Sequence, residues 1–190
     1  MDRRRRGLSV LVFLVLLSSL ILGCGGSSKE PGRDFDYEKA VSAAPAALKS
    51  FYQAGPVLMD GGEQSYDDLL EDARGYPVVV VNWASWCGPC ITEFPYVRKA
   101  AYRLLRQVAF FGVNTLDTTP AYDTFVRDNP VPFPSVADPD QELAAWSDSG
   151  VIAVPNTLMY DAEGNLAYVH RGPYTSYEEL VADIRTEILS

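Results

Sequence analysis

The chain has 190 residues, of which 47% are hydrophobic and 12% aromatic, enough for the core of one globular domain. This composition excludes disorder as the default expectation. The formal net charge of −9 at pH 7 argues against a nucleic-acid-binding protein, because phosphate contacts require lysine and arginine.

The N-terminal segment has the pattern of a secretory signal. Four arginines at 3–6 precede an uncharged apolar run over 8–22, which is followed by Gly23 and Cys24. The run is shorter than the roughly 20 residues of a transmembrane helix, so a cleaved or lipidated signal is favoured over a permanent span. Its end resembles a bacterial lipobox, in which the cysteine is lipid-modified, although Leu22 stands where a smaller residue is usual. An ordinary signal cleaved nearby and an uncleaved anchor are the alternatives.

These features predict a signal peptide over 1–23, a lipid-attachment cysteine with a flexible tether over 24–35, and a folded domain over 36–190. The tether assignment rests on small, polar and turn-forming residues. The signal carries four arginines and one aspartate, so its removal changes the net charge from −9 to −12. We therefore expect a protein that is lipid-anchored at the extracytoplasmic face of the cell membrane, with a secreted or periplasmic protein as the alternative.

The first part of the domain alternates between helical and strand patterns. Helices are expected over 45–54 and from about Ser65, and the β-branched run at 78–81 is typical of a central strand buried on both faces. Apolar residues at helical spacing over 94–108 predict one long helix that starts at the cysteines and contains Pro95.

The second part continues this alternation. The expected strands lie over 108–114, 134–137, 157–161 and 166–170, and the expected helices begin at Thr119-Pro120, at Asp138-Pro139 and at the capping-box pattern of Ser176 and Glu179. The last two strands flank a turn and predict an antiparallel hairpin. The order, βαβαβ followed by ββα, predicts an α/β fold with a mixed central sheet and helices on both faces.

The motif WCGPC places Cys87 and Cys90 directly after the buried strand, at the start of the long helix. Unpaired backbone N–H groups and the helix dipole favour negative charge there, so Cys87 is the expected nucleophile. Cys90, one turn later, is placed to attack a mixed disulfide on Cys87 and release the partner. No cofactor is expected beyond this redox-active disulfide.

Other interpretations of the two cysteines are weaker. A disulfide between residues three apart closes a loop too small to stabilise the fold appreciably. A zinc site needs four ligands, whereas the chain beyond Cys24 offers only Cys87, Cys90 and the single histidine, His170, so no metal is expected. A thiol peroxidase would carry a threonine three residues before its reactive cysteine, where this chain has Ala84.

WCGPC, preceded by an apolar strand and followed by Glu93-Phe94-Pro95, is similar to the motif of thioredoxin-like thiol-disulfide oxidoreductases of the TlpA/ResA type. These proteins are exported or membrane-tethered. The stretches GVNTLDTTPAYDTFV, VPFPSVADPDQELA and GVIAVPNTLMYDAEGNLAYVHRG extend the resemblance over about residues 56–189. It implies a thioredoxin-like fold and a thiol-disulfide oxidoreductase activity.

The resemblance also implies roles for individual residues. Cys87 corresponds to the attacking thiol and Cys90 to the resolving thiol. Pro155 corresponds to the cis-proline that faces the disulfide, where the backbone of Val154 could pair with a client strand. Glu93 matches a glutamate that lines the active site, and a partly buried carboxylate there could take the proton of Cys90.

Trp83 and Trp86 are expected to flank the site as apolar walls, with Trp86 in the docking surface and a core position as the alternative for Trp83. His170 is expected in a structural or exposed position. Related chains usually have an apolar residue between the asparagine and the first tryptophan, whereas Asn82 adjoins Trp83 directly. The position of a buried acidic residue in thioredoxin is Val81 here. Either the strand is one residue shorter or Asn82 faces the other side of the sheet, which leaves a role of Asn82 in proton transfer open.

These features predict an extracytoplasmic oxidoreductase that reduces disulfides in other exported proteins. Gly88-Pro89 is the dipeptide of thioredoxin, a reducing couple near about −270 mV, and it favours that direction. The resemblance implies a membrane thiol electron donor of the CcdA or DsbD type and, as a plausible client, an apocytochrome c. A peroxiredoxin-like thiol peroxidase and a non-catalytic thioredoxin-fold binding module are the alternatives. No nucleic acid partner is expected.

Overall fold

The computed structural model describes residues 37–143 and 153–190. The predicted signal peptide, Cys24 and the predicted tether up to residue 35 lie outside these residues. Most of the helix expected after Asp138-Pro139 lies outside them as well. In the described ranges, no helix is both long and apolar enough to cross a membrane.

Helices and strands alternate along the described chain. The six helices are α1 Tyr37–Ser42, α2 Ala46–Gln53, α3 Gly62–Asp72, α4 Gly88–Leu104, α5 Thr119–Asp128 and α6 Tyr177–Glu187. The six strands are β1 Leu58–Met59, β2 Val78–Trp83, β3 Ala109–Thr115, β4 Ser135–Asp138, β5 Asn156–Tyr160 and β6 Leu166–Arg171.

The strands form one mixed sheet in the order β1-β4-β3-β2-β5-β6, which confirms the predicted architecture. The strands β1 to β4 are parallel to one another, whereas β5 pairs antiparallel with both β2 and β6. Strand β2 lies between β3 and β5, and all six of its residues are buried. The continuous apolar run at 78–81 thus has the central position that its pattern predicts.

Helices cover both faces of the sheet, as predicted. The side chain of Phe111 packs edge-on against Tyr66 of α3, with ring centroids 5.1 Å apart. The next residue, Gly112, faces Trp83, and a Cβ there would come within 2.7 Å of the Trp83 indole nitrogen. Trp83 packs against Phe94 of α4. Because consecutive strand residues point to opposite sides, α3 and α4 lie on opposite faces.

Four local features differ from the sequence-based expectations. Neither α1 nor β1 was expected, because six and two residues are too few for a clear periodic pattern. Helix α3 begins at Gly62, before the expected Ser65. At the start of α6, Ser176 Oγ accepts the Glu179 N–H as in a capping box, but Glu179 Oε2 accepts from the N–H of Thr175.

Candidate active site

The two cysteines join the end of β2 to the start of α4. Cys87 is the N-cap residue of α4, and it forms a disulfide with Cys90. Its Sγ also accepts the backbone N–H of Cys90 at 3.2 Å. Cys87 keeps 4% of its surface exposed and Cys90 keeps none, so a reaction partner can reach Cys87 first.

Helix α4 also carries Glu93, three residues after Cys90 and completely buried. Glu93 Oε2 accepts the backbone N–H of Tyr174 at 2.8 Å, while Oε1 has no hydrogen-bond partner among the described residues. Burial raises the pKa of Glu93 to about 7, against the opposing effect of the Tyr174 hydrogen bond. A carboxyl group with a pKa of about 7 can both accept and return a proton near neutral pH.

Trp86 directly precedes Cys87 and is 58% exposed, the largest exposure among the large apolar side chains described. Its indole Nε1 donates to the carbonyl oxygen of Leu116 at 2.8 Å. Leu116 is also exposed and has a left-handed backbone with φ of 49°. The loops after β2 and β3 therefore present an apolar surface directly beside Cys87.

Asp117 connects these two loops and was not identified from the sequence. Its carboxylate accepts from the backbone N–H of Ser85 at 2.7 Å, the hydroxyl of Ser85, the side-chain amide of Asn114 and the backbone N–H of Thr118. Partial burial raises the pKa of Asp117, but these donors outweigh it and leave the pKa below its ordinary value. Its place at the carboxyl end of a central parallel strand is the signal that could have found it.

The segment before β5 lies beside the carboxyl end of β2, because Asn156 pairs with Asn82 in the sheet. The peptide bond between Val154 and Pro155 is cis, as the resemblance implies, and Val154 is half-buried. Asn156 fixes this segment, because its Nδ2 donates to the carbonyl oxygen of Ala153 at 2.7 Å. Asn156 Oδ1 in turn accepts from Nδ2 of Asn82 at 2.7 Å.

Asn82 faces away from the α4 side of the sheet. Strand β2 keeps its register through Trp83, so it is not shortened, and Asn82 pairs with Asn156 in the adjoining strand. Since Val81 and Trp83 point to the α4 side, Asn82 points to the opposite side. Of the two alternatives left by the sequence, the second therefore holds, and Asn82 orients the segment before β5.

His170 and Trp83 occupy structural positions. His170 lies on β6 with its ring stacked 3.8 Å from that of Tyr174, and Trp83 is completely buried. Among the described residues, no group of three or more histidine, cysteine, aspartate or glutamate side chains is arranged to hold a metal ion.

A family model described as Redoxin matches residues 42–184. The chain belongs to the Redoxin family. This Redoxin chain is 33% identical over 135 residues to the "Thiol:disulfide interchange protein DsbE homolog" of Paracoccus denitrificans, covering 69% of this chain and 70% of that relative. It is 31% identical over 115 residues to the "Thiol-disulfide oxidoreductase ResA" of Bacillus subtilis, covering 60% and 62% of the two chains.

Solved structures give the same assignment. MTB dsbF, solved in its mixed oxidized and reduced forms, superposes with a TM-score of 0.55 at 36% identity, covering 61% of this chain and 84% of that one. A secreted Mycobacterium tuberculosis disulfide oxidoreductase homologous to E. coli DsbE gives 0.54 at 25% identity, covering 61% and 85%. The Redoxin chain therefore has a thioredoxin-like fold and is a thiol-disulfide oxidoreductase of the DsbE/ResA type.

Proposed function

We propose that the protein is exported, anchored through a lipid on Cys24 to the extracytoplasmic face of the cell membrane, and reduces disulfides in other exported proteins. One observation carries the chemistry. The Cys87–Cys90 pair lies at the start of α4, and only Cys87 retains exposed surface. A secreted protein without the lipid, or a periplasmic one, would use the same site.

The proposed reaction moves two electrons from the dithiol to the client. The Cys87 thiolate attacks a client disulfide, so that a mixed disulfide forms and one client thiolate leaves. Cys90 then attacks Cys87 Sγ, which closes the Cys87–Cys90 disulfide and releases the second client thiolate. Glu93 takes the proton that Cys90 loses, which is why a buried carboxyl near the helix start is useful.

Client recognition uses Trp86 and the segment that precedes β5. Trp86 offers a large aromatic surface next to Cys87, held by its hydrogen bond to Leu116. Val154 and Pro155 precede β5 and give a client strand a backbone edge to pair with. The site thus binds an extended segment around a cystine, consistent with a protein client.

Direction and partners are part of the same proposal. Gly88-Pro89 favours a reducing couple, which must be recharged outside the cytoplasm. A membrane thiol transporter of the CcdA or DsbD type would supply the electrons, and an apocytochrome c, whose haem-binding cysteines must be reduced, would be a client. Export is supported by the basic and apolar segments before Cys24, and by the similarity to a secreted relative.

The activity is tested by trapping. In the Cys90→Ser variant the mixed disulfide cannot be resolved, so we expect client proteins to accumulate on Cys87 when the variant is expressed with its signal. The matched control is Cys87→Ser, which keeps one cysteine of the pair and should trap far less. Absence of protein adducts on Cys87 would contradict the proposed activity.

Two further measurements test direction and location. The reduction potential of the Cys87–Cys90 pair should be about −270 mV, whereas a value of about −120 mV would reverse the proposed direction. Mass spectrometry of the mature N-terminus should find lipid on Cys24, and Cys24→Ser should release the protein from membranes. An unmodified mature N-terminus would exclude the lipid anchor but leave the redox proposal intact.

A further inference from the structure

Tyr174 gives Glu93 its hydrogen bond from a loop. It lies between β6 and α6, outside regular secondary structure, and its side chain is buried. Its backbone N–H donates to Glu93 Oε2 at 2.8 Å, across 81 positions of sequence. Since no helix or strand ladder fixes this N–H, its position depends on what holds the loop.

The ring of Tyr174 is held from two sides. The imidazole of His170 stacks on it, with centroids 3.8 Å apart and planes inclined by 14°. The phenol hydroxyl donates to Asp183 Oδ2 at 3.0 Å. His170 Nδ1 lies 3.5 Å from the same oxygen of Asp183. Strand β6, the loop and α6 thus each contribute one residue to a closed cluster, which we call the tyrosine clamp.

We propose that Tyr174 is a positioning residue for Glu93: the tyrosine clamp of His170, Tyr174 and Asp183 holds the Tyr174 N–H on the Glu93 carboxylate. The inference rests on the proposed role of Glu93 as the base that takes the proton of Cys90. In this scheme Tyr174 contacts neither the reacting sulfur atoms nor the client. It acts through Glu93.

The clamp matters because an N–H donor favours the ionised carboxylate. Burial raises the pKa of Glu93, and the Tyr174 N–H opposes that rise. If the loop moved and the hydrogen bond were lost, the pKa of Glu93 would rise further, and fewer molecules would carry an ionised Glu93 that can accept a proton at neutral pH. The clamp therefore sets the fraction of molecules in which Glu93 is ready to act as a base.

The charged groups around the clamp lie on β6 and α6. Asp183 faces His170, Tyr168 and Tyr174, and the negative charge of Asp183 raises the pKa of Tyr168 after burial. Burial is the largest cause that raises the pKa of the Tyr174 phenol, and the negative charge of Asp183 is the next. The hydroxyl of Tyr174 therefore remains a donor. Glu179 and Glu187 of α6 add negative charge near Tyr168. Glu93 itself faces Tyr174, which links it to this cluster.

The test uses the full chain with Tyr174→Phe, which removes only the hydroxyl, and Asp183→Ala, which removes its acceptor. The control is Tyr66→Phe, which removes another buried hydroxyl, bonded to that of Tyr160 at 2.7 Å on the opposite face of the sheet. The first readout is the titration of the Glu93 carboxyl carbon by NMR, with its resonance assigned from Glu93→Gln. The second is the pH midpoint for release of a mixed disulfide from Cys87.

We expect Tyr174→Phe and Asp183→Ala each to raise the pKa of Glu93 by about one and to move the pH midpoint of release equally. The double variant should shift the pKa of Glu93 no further than the single variant with the larger shift. Both changes break the same hydrogen bond, from the Tyr174 hydroxyl to Asp183. His170→Phe keeps a stacking ring but loses Nδ1, so its shift should be smaller. Tyr66→Phe should change stability without moving either readout.

An unchanged Glu93 pKa in Tyr174→Phe, or an equal change in Tyr66→Phe, would overturn the inference. If Tyr174→Phe does not fold, Asp183→Ala and His170→Phe decide by the same two readouts. The proposed role of Glu93 as a base is contradicted by a different result. If Glu93→Gln released the mixed disulfide from Cys87 at the wild-type rate, no base would be needed at that position. The two failures are therefore distinguishable.

Discussion

Two carboxylates lie on segments next to the disulfide, Asp117 bonded to Ser85 before Cys87 and Glu93 three residues after Cys90, and their surroundings give them opposite properties. Asp117 is partly exposed and accepts hydrogen bonds from Ser85, Asn114 and Thr118, so its pKa lies below the ordinary value. Glu93 is fully buried, accepts one hydrogen bond, and has its pKa raised to about 7. Asp117 is an anion at neutral pH that ties the two loops together, whereas Glu93 can exchange a proton there.

The difference shows that the number of donors and the degree of desolvation decide what a carboxylate does at this site. Four donors stabilise the charge of Asp117. The hydrogen bonds that they form with its oxygens also position the loop that carries Trp86. Burial without enough donors leaves Glu93 poised between its two protonation states.

The largest effect should come from Glu93→Gln. Loss of a general base should slow release of a mixed disulfide from Cys87 by about 10²- to 10⁴-fold at neutral pH. The wild-type rate should rise as pH passes about 7, where Glu93 ionises, and the variant should lack that rise. Stopped-flow kinetics between pH 5 and 9 measure both, with the exposed Glu178→Gln as control. Equal pH profiles for the two glutamine variants would contradict the contrast.

Glu93 should also reduce stability at high pH. Its pKa is raised from 4.5 to about 7 on folding, so its protonated form stabilises the fold fully below pH 4.5, and this contribution is lost as pH rises through about 7. The loss should approach about 3 kcal/mol in the free energy of unfolding. Denaturant titrations of wild type and Glu93→Gln at pH 4 and pH 8 give the difference. A difference that does not change with pH would refute the assigned pKa.

Asp117→Ala should have an intermediate effect. The donors of Ser85, Asn114 and Thr118 lose a charged acceptor, and we expect a loss of about 1–3 kcal/mol in unfolding free energy. Because the pKa of Asp117 is lowered, its contribution is present above pH 3.8 and is lost as pH falls through the lower folded pKa. Unfolding of wild type, Asp117→Ala and the exposed Asp123→Ala at pH 7 measures the effect. A loss no larger than that of Asp123→Ala would mean that the loops hold without Asp117.

The smallest effect should come from the uncharged pair Asn82 and Asn156. Asn82→Ala removes one neutral hydrogen bond that supports the segment around Val154, which should cost about 1–2 kcal/mol. If this segment docks the client as proposed, the Michaelis constant for a protein client should rise more than the turnover number falls. Steady-state kinetics with a disulfide-containing protein test this, and a change confined to the turnover number would argue against a docking role.

Much of the fold followed from pattern, and the exceptions have physical reasons. The run at 78–81 predicted a central strand because only a strand covered on both faces is uniformly apolar. The two-residue β1 was missed because its position depends on pairing with β4, which no local pattern records. The capping of α6 was only half predicted, because Glu179 bonds to Thr175 rather than to the cap residue itself.

The site was predicted unevenly for similar reasons. Cys87 and Cys90 are only three positions apart in sequence, so their motif indicates the chemistry directly. Asp117 meets Ser85 across 32 positions and Glu93 meets Tyr174 across 81, and such separations leave no trace in local spacing. For Asn82, the sequence left two alternatives that only the strand register separated.

The sequence by itself determined the reactive cysteines, their place between an apolar strand and a helix, and the α/β order of the elements. These depend on residue type and on contacts within one helix turn or strand. Only the tertiary structure decided that Glu93 is buried with one donor, that Asp117 has several, and that Tyr174 lies between His170 and Asp183. Solvation and hydrogen bonding set the acidity of a carboxyl group, and both are fixed by segments that folding brings together from distant parts of the chain.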